Sequence, residues 1–318
     1  MASEHLSGYQ ARDYDVVDYQ MYQHPQSGLQ FRGPQPDVKD GNYISCLGAA
    51  QTFGCFCQTS VPEMLSDEFG LPVFNFGYGG AGPAFFARQE KLLETVNAGR
   101  MAVVQIMSGR SESNDRYESG GLEYLTDRAT GERMSANAAY EKLLAENPPP
   151  VGGLLGKALR VVHGPKPVRD VLSQTRANWI ASYEDLLSKI TVPVVLVWIS
   201  KRKPGVYRSK RAVWWWQRYD GMNVMFGEFP QLVNQNMVDK IKPLADGYAE
   251  AVTERGSPQP LFSRFTGEPV MVDMSRDRDD FPEVFGVNEY YPSPEMLEDT
   301  AERLIPVCRE ILAAQRDE

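Results

Sequence analysis

The chain has 318 residues, enough for one large α/β domain or two small ones, and enough to bury a core without disulfide staples. Its formal net charge is -9 and its pI about 5.1, which speaks against broad nucleic-acid binding. No apolar run approaches the ~18 residues of a membrane span. The polar stretch Met1 to Tyr22 holds no apolar core of a secretory signal, and a cytoplasmic location is expected.

In chain order, residues 1–40 have no clear period but carry Tyr9, Tyr14, Tyr19 and Tyr22. They read as an extended arm packed by its tyrosines, and assembly of copies through that arm is left open. Asn42 to Gly48 is the first strand. Ser60 begins a helix over Val61 to Phe69, with Glu63 completing a capping-box pattern and Gly70 stopping it. Pro72 to Phe76 is a second strand, Pro83 to Val96 a helix, and Met101 to Ser108 a third strand. A long polar segment follows, 109–134, with Thr130-Gly131 as a hairpin turn. Helices are expected over Ser135 to Glu146 and Val168 to Ile190. Between the latter and a helix over Asn234 to Arg255 lies Val192 to Ile199, a β-branched run read as a buried parallel strand. A short hairpin turns at Thr266-Gly267, and a last helix covers Pro294 to Gln315. The expected domain is a single one over 41–318, with insertions at about 109–190 and 200–233.

Two strand–loop–helix units in succession predict a parallel α/β sheet, and in such sheets ligands bind outside the carboxyl ends of the strands. The loops after the first two strands read Gly48-Ala-Ala-Gln51-Thr52-Phe-Gly54 and Asn75-Phe-Gly77-Tyr-Gly-Gly80. Asn114 follows the third strand, and Asn288-Glu-Tyr-Tyr291-Pro292 precedes the last helix. In order and spacing this pattern resembles the SGNH (GDSL-type) hydrolase superfamily. The resemblance implies a three-layer α/β/α sandwich with a mostly parallel, flavodoxin-like sheet and long rim insertions.

It also implies what is missing. Ala50 stands where that superfamily has its nucleophilic Ser, Asn288 where it has the orienting Asp, and Tyr291 where it has the base His. A serine esterase needs all three. The surviving part is an oxyanion-type arrangement, here the N–H groups at Ala50 and Gly80 and the side chain of Asn114. Thr52 is a substitute nucleophile or, on the simpler reading, a loop cap. Gln51, Asn75, Asn288 and Tyr291 are expected to contact substrate. Cys55 and Cys57, with Cys46 and Cys308, read as reduced thiols rather than a metal pair. His163, Asp115, Glu289 and Asp299 are weak candidates for a base.

A basic segment follows the central strand: Lys201, Arg202, Lys203, Arg208, Lys210 and Arg211, then Trp214, Trp215 and Trp216. With Arg110 it would favour a phosphate, sulfate or acidic sugar at the rim. The first loop also resembles that of capsule-biosynthesis proteins that depart from the Ser motif. The favoured expectation is a group transferase that moves an acyl or sulfuryl group to a glycan or lipid hydroxyl. Its donor would be a nucleotide-type or CoA co-substrate, with no tightly bound cofactor and no metal. The alternatives are a silent module binding an anionic glycan and an esterase with a displaced nucleophile.

Overall fold

The computed structural model describes residues 8–148, 164–209, 219, 221–273 and 284–315. Five parallel strands form its central sheet: β1 Ile44–Gly48, β2 Val73–Gly77, β3 Met101–Gln105, β4 Val194–Ser200 and β5 Gly247–Val252. Their order is β2-β1-β3-β4-β5. That is the flavodoxin-like doubly wound order, with its switch point between β1 and β3. Register is continuous across it, with Ile44 opposite both Val73 and Met101, and Gln105 opposite Val197.

Both sheet faces are covered, which is why the strands are apolar almost throughout. On one face Ile44, Cys46, Val103, Val195 and Val197 pack against α3 (Val61–Phe69) and α10 (Pro294–Ala314). On the other, Leu47, Val104, Leu196 and Trp198 pack beneath four helices: α4 (Pro83–Ala87), α5 (Glu90–Asn97), α7 (Lys166–Lys189) and α9 (Gln235–Ile241). Alternate residues of each strand serve opposite faces, so a one-residue slip would exchange the two cores.

The sequence reading holds for β1 to β4, for α3 with its Ser60–Glu63 capping box, and for the hairpin at Thr130-Gly131, where Tyr124–Asp127 pairs with Arg133–Ser135. Three expectations change. The helix expected over Asn234 to Arg255 ends at Ile241, and the rest supplies edge strand β5. Pro243 cannot donate the next helical hydrogen bond and crowds the preceding turn. The helix expected over Pro83 to Val96 breaks between Ala87 and Glu90. The N-terminal arm is not simply extended: it opens with α1 (Gly8–Asp13), and Tyr22–Gln23 pairs with Gln30–Phe31. Its Tyr19 is buried, and Tyr9 packs edge-on to Phe53. The first insertion ends before α7, since Trp179, Tyr183 and Leu186 of that helix belong to the central core.

Candidate functional site

At the switch point, α2 (Ala50–Phe53) rises from the end of β1. Gln105, the last residue of β3, leans over it. Its Oε1 accepts from Ala49 N at 3.0 Å, Thr52 N at 3.1 Å and Thr52 Oγ1 at 2.7 Å. Its Nε2 donates to Gln51 Oε1 at 3.0 Å. A Cβ at Gly48 would lie 2.5 Å from Gln105 Oε1, so only glycine lets the amide approach. An uncharged amide oxygen therefore ties Ala49 and Thr52 of this loop to the end of β3, on either side of Ala50. Thr52 is buried and its hydroxyl donates into this network.

The second loop is closed over as well. Ser111 Oγ donates to Gly80 O at 3.3 Å, and a Cβ at Gly80 would lie 3.0 Å from Glu123 Cβ. A Cβ at Gly79 would fall 2.6 Å from the Tyr9 hydroxyl, so the N-terminal helix rests on this loop. Asn114 does not reach it. Its Nδ2 donates to Thr175 Oγ1 at 3.1 Å, and its Oδ1 accepts from Arg116 N and Tyr117 N at 3.0 and 2.8 Å. Asn114 ties the first insertion to α7, and the third-loop side chain that faces Gly80 is Ser111. Asn75 accepts from Gly77 N at 3.0 Å and lies beside a separate cavity of about 500 Å³ along edge strand β2.

The open space lies further along the rim, beyond β4 and β5. A cleft of about 960 Å³ is lined by Gln51, Arg110, Lys201, Asn288 and Tyr291 from the sequence-based set, but not by Ala50, Thr52, Gly80, Asn75, Asn114 or Arg202. The two insertions form its far wall through Asn137 and Glu141 of α6 (Ala136–Glu146) on one side and Arg208, with Asn223 and Phe226 of α8 (Met222–Phe226), on the other. Ser257, Glu254 and Gln231 line it as well. Sequence reasoning missed Glu254 because a helix was expected through Arg255, and missed Ser257 because it then followed a helix rather than a strand of the sheet. Once β5 is read as a strand, Thr253 to Pro258 becomes a loop at its carboxyl end.

Arg202 is buried under the cleft floor. It donates to the carbonyls of Glu228, Pro230 and Val233 at 3.1, 2.7 and 2.8 Å, and burial lowers its pKa to about 10. It is a plug for the 226–233 segment. Arg208 is neutralised within the cleft by Glu254 at 2.7 Å and Glu228 at 3.2 Å. Its guanidinium holds the Glu254 carboxyl below the usual range. Arg110 bonds Asn137 Oδ1 at 3.0 Å and lies 3.6 Å from Glu123. Of the basic residues expected at the rim, Arg110 and Arg208 are thus balanced by acids. Lys201 donates to Ser257 Oγ and, at 3.0 Å, to Glu289 O. Asn288 accepts from Tyr290 N and Tyr291 N at 3.1 and 2.9 Å, and its Nδ2 donates to Gln259 Oε1. Tyr291 packs on Phe56, with its hydroxyl 3.4 Å from Arg12 Nη1.

Of the other expected residues, His163, Lys210, Arg211 and Trp214 to Trp216 lie outside the described residues. The described histidine, His24, packs among Phe31, Phe74 and Phe76. All four cysteines are free and buried, and burial pushes the Cys57 and Cys308 thiols up to about 12, which disfavours the thiolate nucleophile. Asp115 is exposed beside Gln174, and Asp299 accepts from Thr253 Oγ1. No group of metal-ligating side chains occurs among the described residues.

Residues 8–145 match a family model described as a domain of unknown function, DUF6473. No curated protein matches the chain. Among solved structures it is similar to an extracellular lipase from Streptomyces rimosus, at 12% identity over 85% of this chain and 99% of that one, with a TM-score of 0.38. A gut microbial diltiazem-metabolizing enzyme aligns at 9% identity over 85% of this chain and 47% of that one, with a TM-score of 0.40. AlinE4, an SGNH-hydrolase family esterase, aligns at 13% identity over 88% and 98%, with a TM-score of 0.29. These scores are low, and the fold rests on the strand order of the chain itself. Among the described residues no helix is long and apolar enough to cross a membrane.

Proposed function

We propose that the rim cleft binds a polar, hydroxyl-rich molecule of glycan type, and that the first loop forms no covalent intermediate with it. The observation that carries this reading is Gln105, whose amide oxygen takes up Ala49 N, Thr52 N and Thr52 Oγ1 at the place where the resembled superfamily does its chemistry. The cleft lining supports the ligand class. It combines amides (Gln51, Asn137, Gln231), a carboxylate (Glu254) and a hydroxyl (Ser200) with the ring faces of Phe285 and Tyr290. Few placed polar groups beside apolar faces are what orients a small ligand. Titration calorimetry with neutral and uronic oligosaccharides tests it. Saturable binding that Gln231→Ala weakens about tenfold is expected; no binding of either class would remove the reading.

A second reading, direct group transfer from a nucleotide-type or CoA donor to the bound hydroxyl, is favoured by one feature. Both insertions reach the same cleft, which leaves room for two ligands. Transfer of that kind needs positioning and charge stabilisation more than a protein nucleophile. Saturable stabilisation of the protein by coenzyme A or by adenosine 3′-phosphate 5′-phosphosulfate in a thermal-shift series is the expected sign. No shift with either donor removes this second reading and leaves the first intact.

A further inference from the structure

We propose that Ser257 is a nucleophile for acyl transfer, with Lys201 as its base. The proposal rests on the reading that the cleft is the ligand site. Lys201 follows directly on β4, and Ser257 lies five residues beyond β5. The two strands are neighbours, so both residues stand outside adjacent carboxyl ends, where doubly wound sheets hold their ligands. Both line the cleft, and Lys201 Nζ bonds Ser257 Oγ directly. A second bond, to Glu289 O at 3.0 Å, fixes the ammonium end. Serine with a lysine base is a known variant of the serine triad, recognised by geometry rather than sequence position.

The chemistry balances within these two side chains. With Lys201 neutral, Ser257 Oγ bonds to the carbonyl carbon of an ester while its proton passes to Nζ. Collapse of the tetrahedral intermediate breaks the bond between the carbonyl carbon and the alkoxide, and Lys201 returns the proton to the leaving oxygen. A ligand hydroxyl or water then takes the acyl group from Ser257, and Lys201 again accepts and returns one proton. Glu254 and Arg208 face the pair from the cleft wall. Arg208 first and Lys201 after it hold the Glu254 carboxyl below its ordinary range, so a carboxylate stands near Nζ.

The test is labelling of the full chain by a fluorophosphonate, in which Oγ bonds phosphorus and fluoride leaves, followed by peptide mapping. One adduct on Ser257 is expected, absent in Ser257→Ala and slowed about 100-fold in Lys201→Met. The labelling rate should rise with pH as Lys201 gives up its proton. Glu254→Gln should move that profile to lower pH, a shift that a purely structural Lys201 would not produce. No adduct on Ser257 between pH 7 and 10, or an unchanged rate in Lys201→Met, overturns the proposal. Where Ser257→Ala alters folding, Ser257→Cys keeps the test open: its alkylation by iodoacetamide must depend on Lys201, and independence overturns the proposal too. Oligosaccharide binding separates the two readings. Binding without labelling overturns the dyad alone, and labelling without binding overturns the ligand class alone.

Discussion

Gln105 shows how one side chain can make the loop after a strand into a structural joint. Its amide oxygen accepts from both Ala49 N and Thr52 N, and all three residues are buried at the switch point. Gln105→Leu keeps the bulk and takes that acceptor away from the two donors, so a loss of roughly 2–4 kcal/mol is expected in the urea midpoint. Glu112 is the second informative residue. Burial raises its pKa to about 7, offset in part by the Ser182 hydroxyl at 2.9 Å and by Ala84 N. The folded state therefore holds this proton more tightly than the unfolded chain. Its contribution is favourable below the ordinary carboxyl range and is lost as pH rises toward 7. Glu112→Gln should flatten that slope and stabilise the protein at pH 8 by on the order of 3 kcal/mol, read by denaturant titration across pH 5 to 8.

Arg202 and Lys201 are neighbours in sequence with opposite duties, and the loop they share shows why runs of charge mislead. The buried Arg202 satisfies several backbone carbonyls, whereas Lys201 faces the cleft. Arg202→Met should cost about 3 kcal/mol and lower the melting temperature. Lys201→Met should leave it within a degree or two while changing the reactivity of Ser257. Local signals that act within one turn were legible in the sequence: the Ser60–Glu63 box, the Thr130-Gly131 turn and the β-branched run of β4. β5 was not, because Tyr248-Ala-Glu-Ala-Val252 sets Glu250 between two helix-prone alanines, and only pairing with β4 makes it a strand. The cleft was half legible. Gln51, Arg110, Lys201, Asn288 and Tyr291 belong to it, whereas Asn114 was drawn to α7 by Thr175, a contact that no spacing rule reveals.

At the scale of the molecule, a scaffold of ordinary doubly wound topology carries its distinctive features on one rim, where two insertions and the loop after β5 enclose the cleft. The matched segment, residues 8–145, contains β1 to β3 but neither β4 nor β5. Cut there, the chain would leave Ala102 to Gln105 without the partners Val194 to Val197, and would bare Val104 and Ile106 where Trp179 and Leu186 now sit. An open, flat, apolar edge is a template for other chains. A protein ending at residue 145 should sediment as aggregate when expressed alone, while the full chain stays in the supernatant. On that outcome the segment matched by the family model does not stand apart, and heritable change on either side of residue 145 has to be tolerated by one shared sheet.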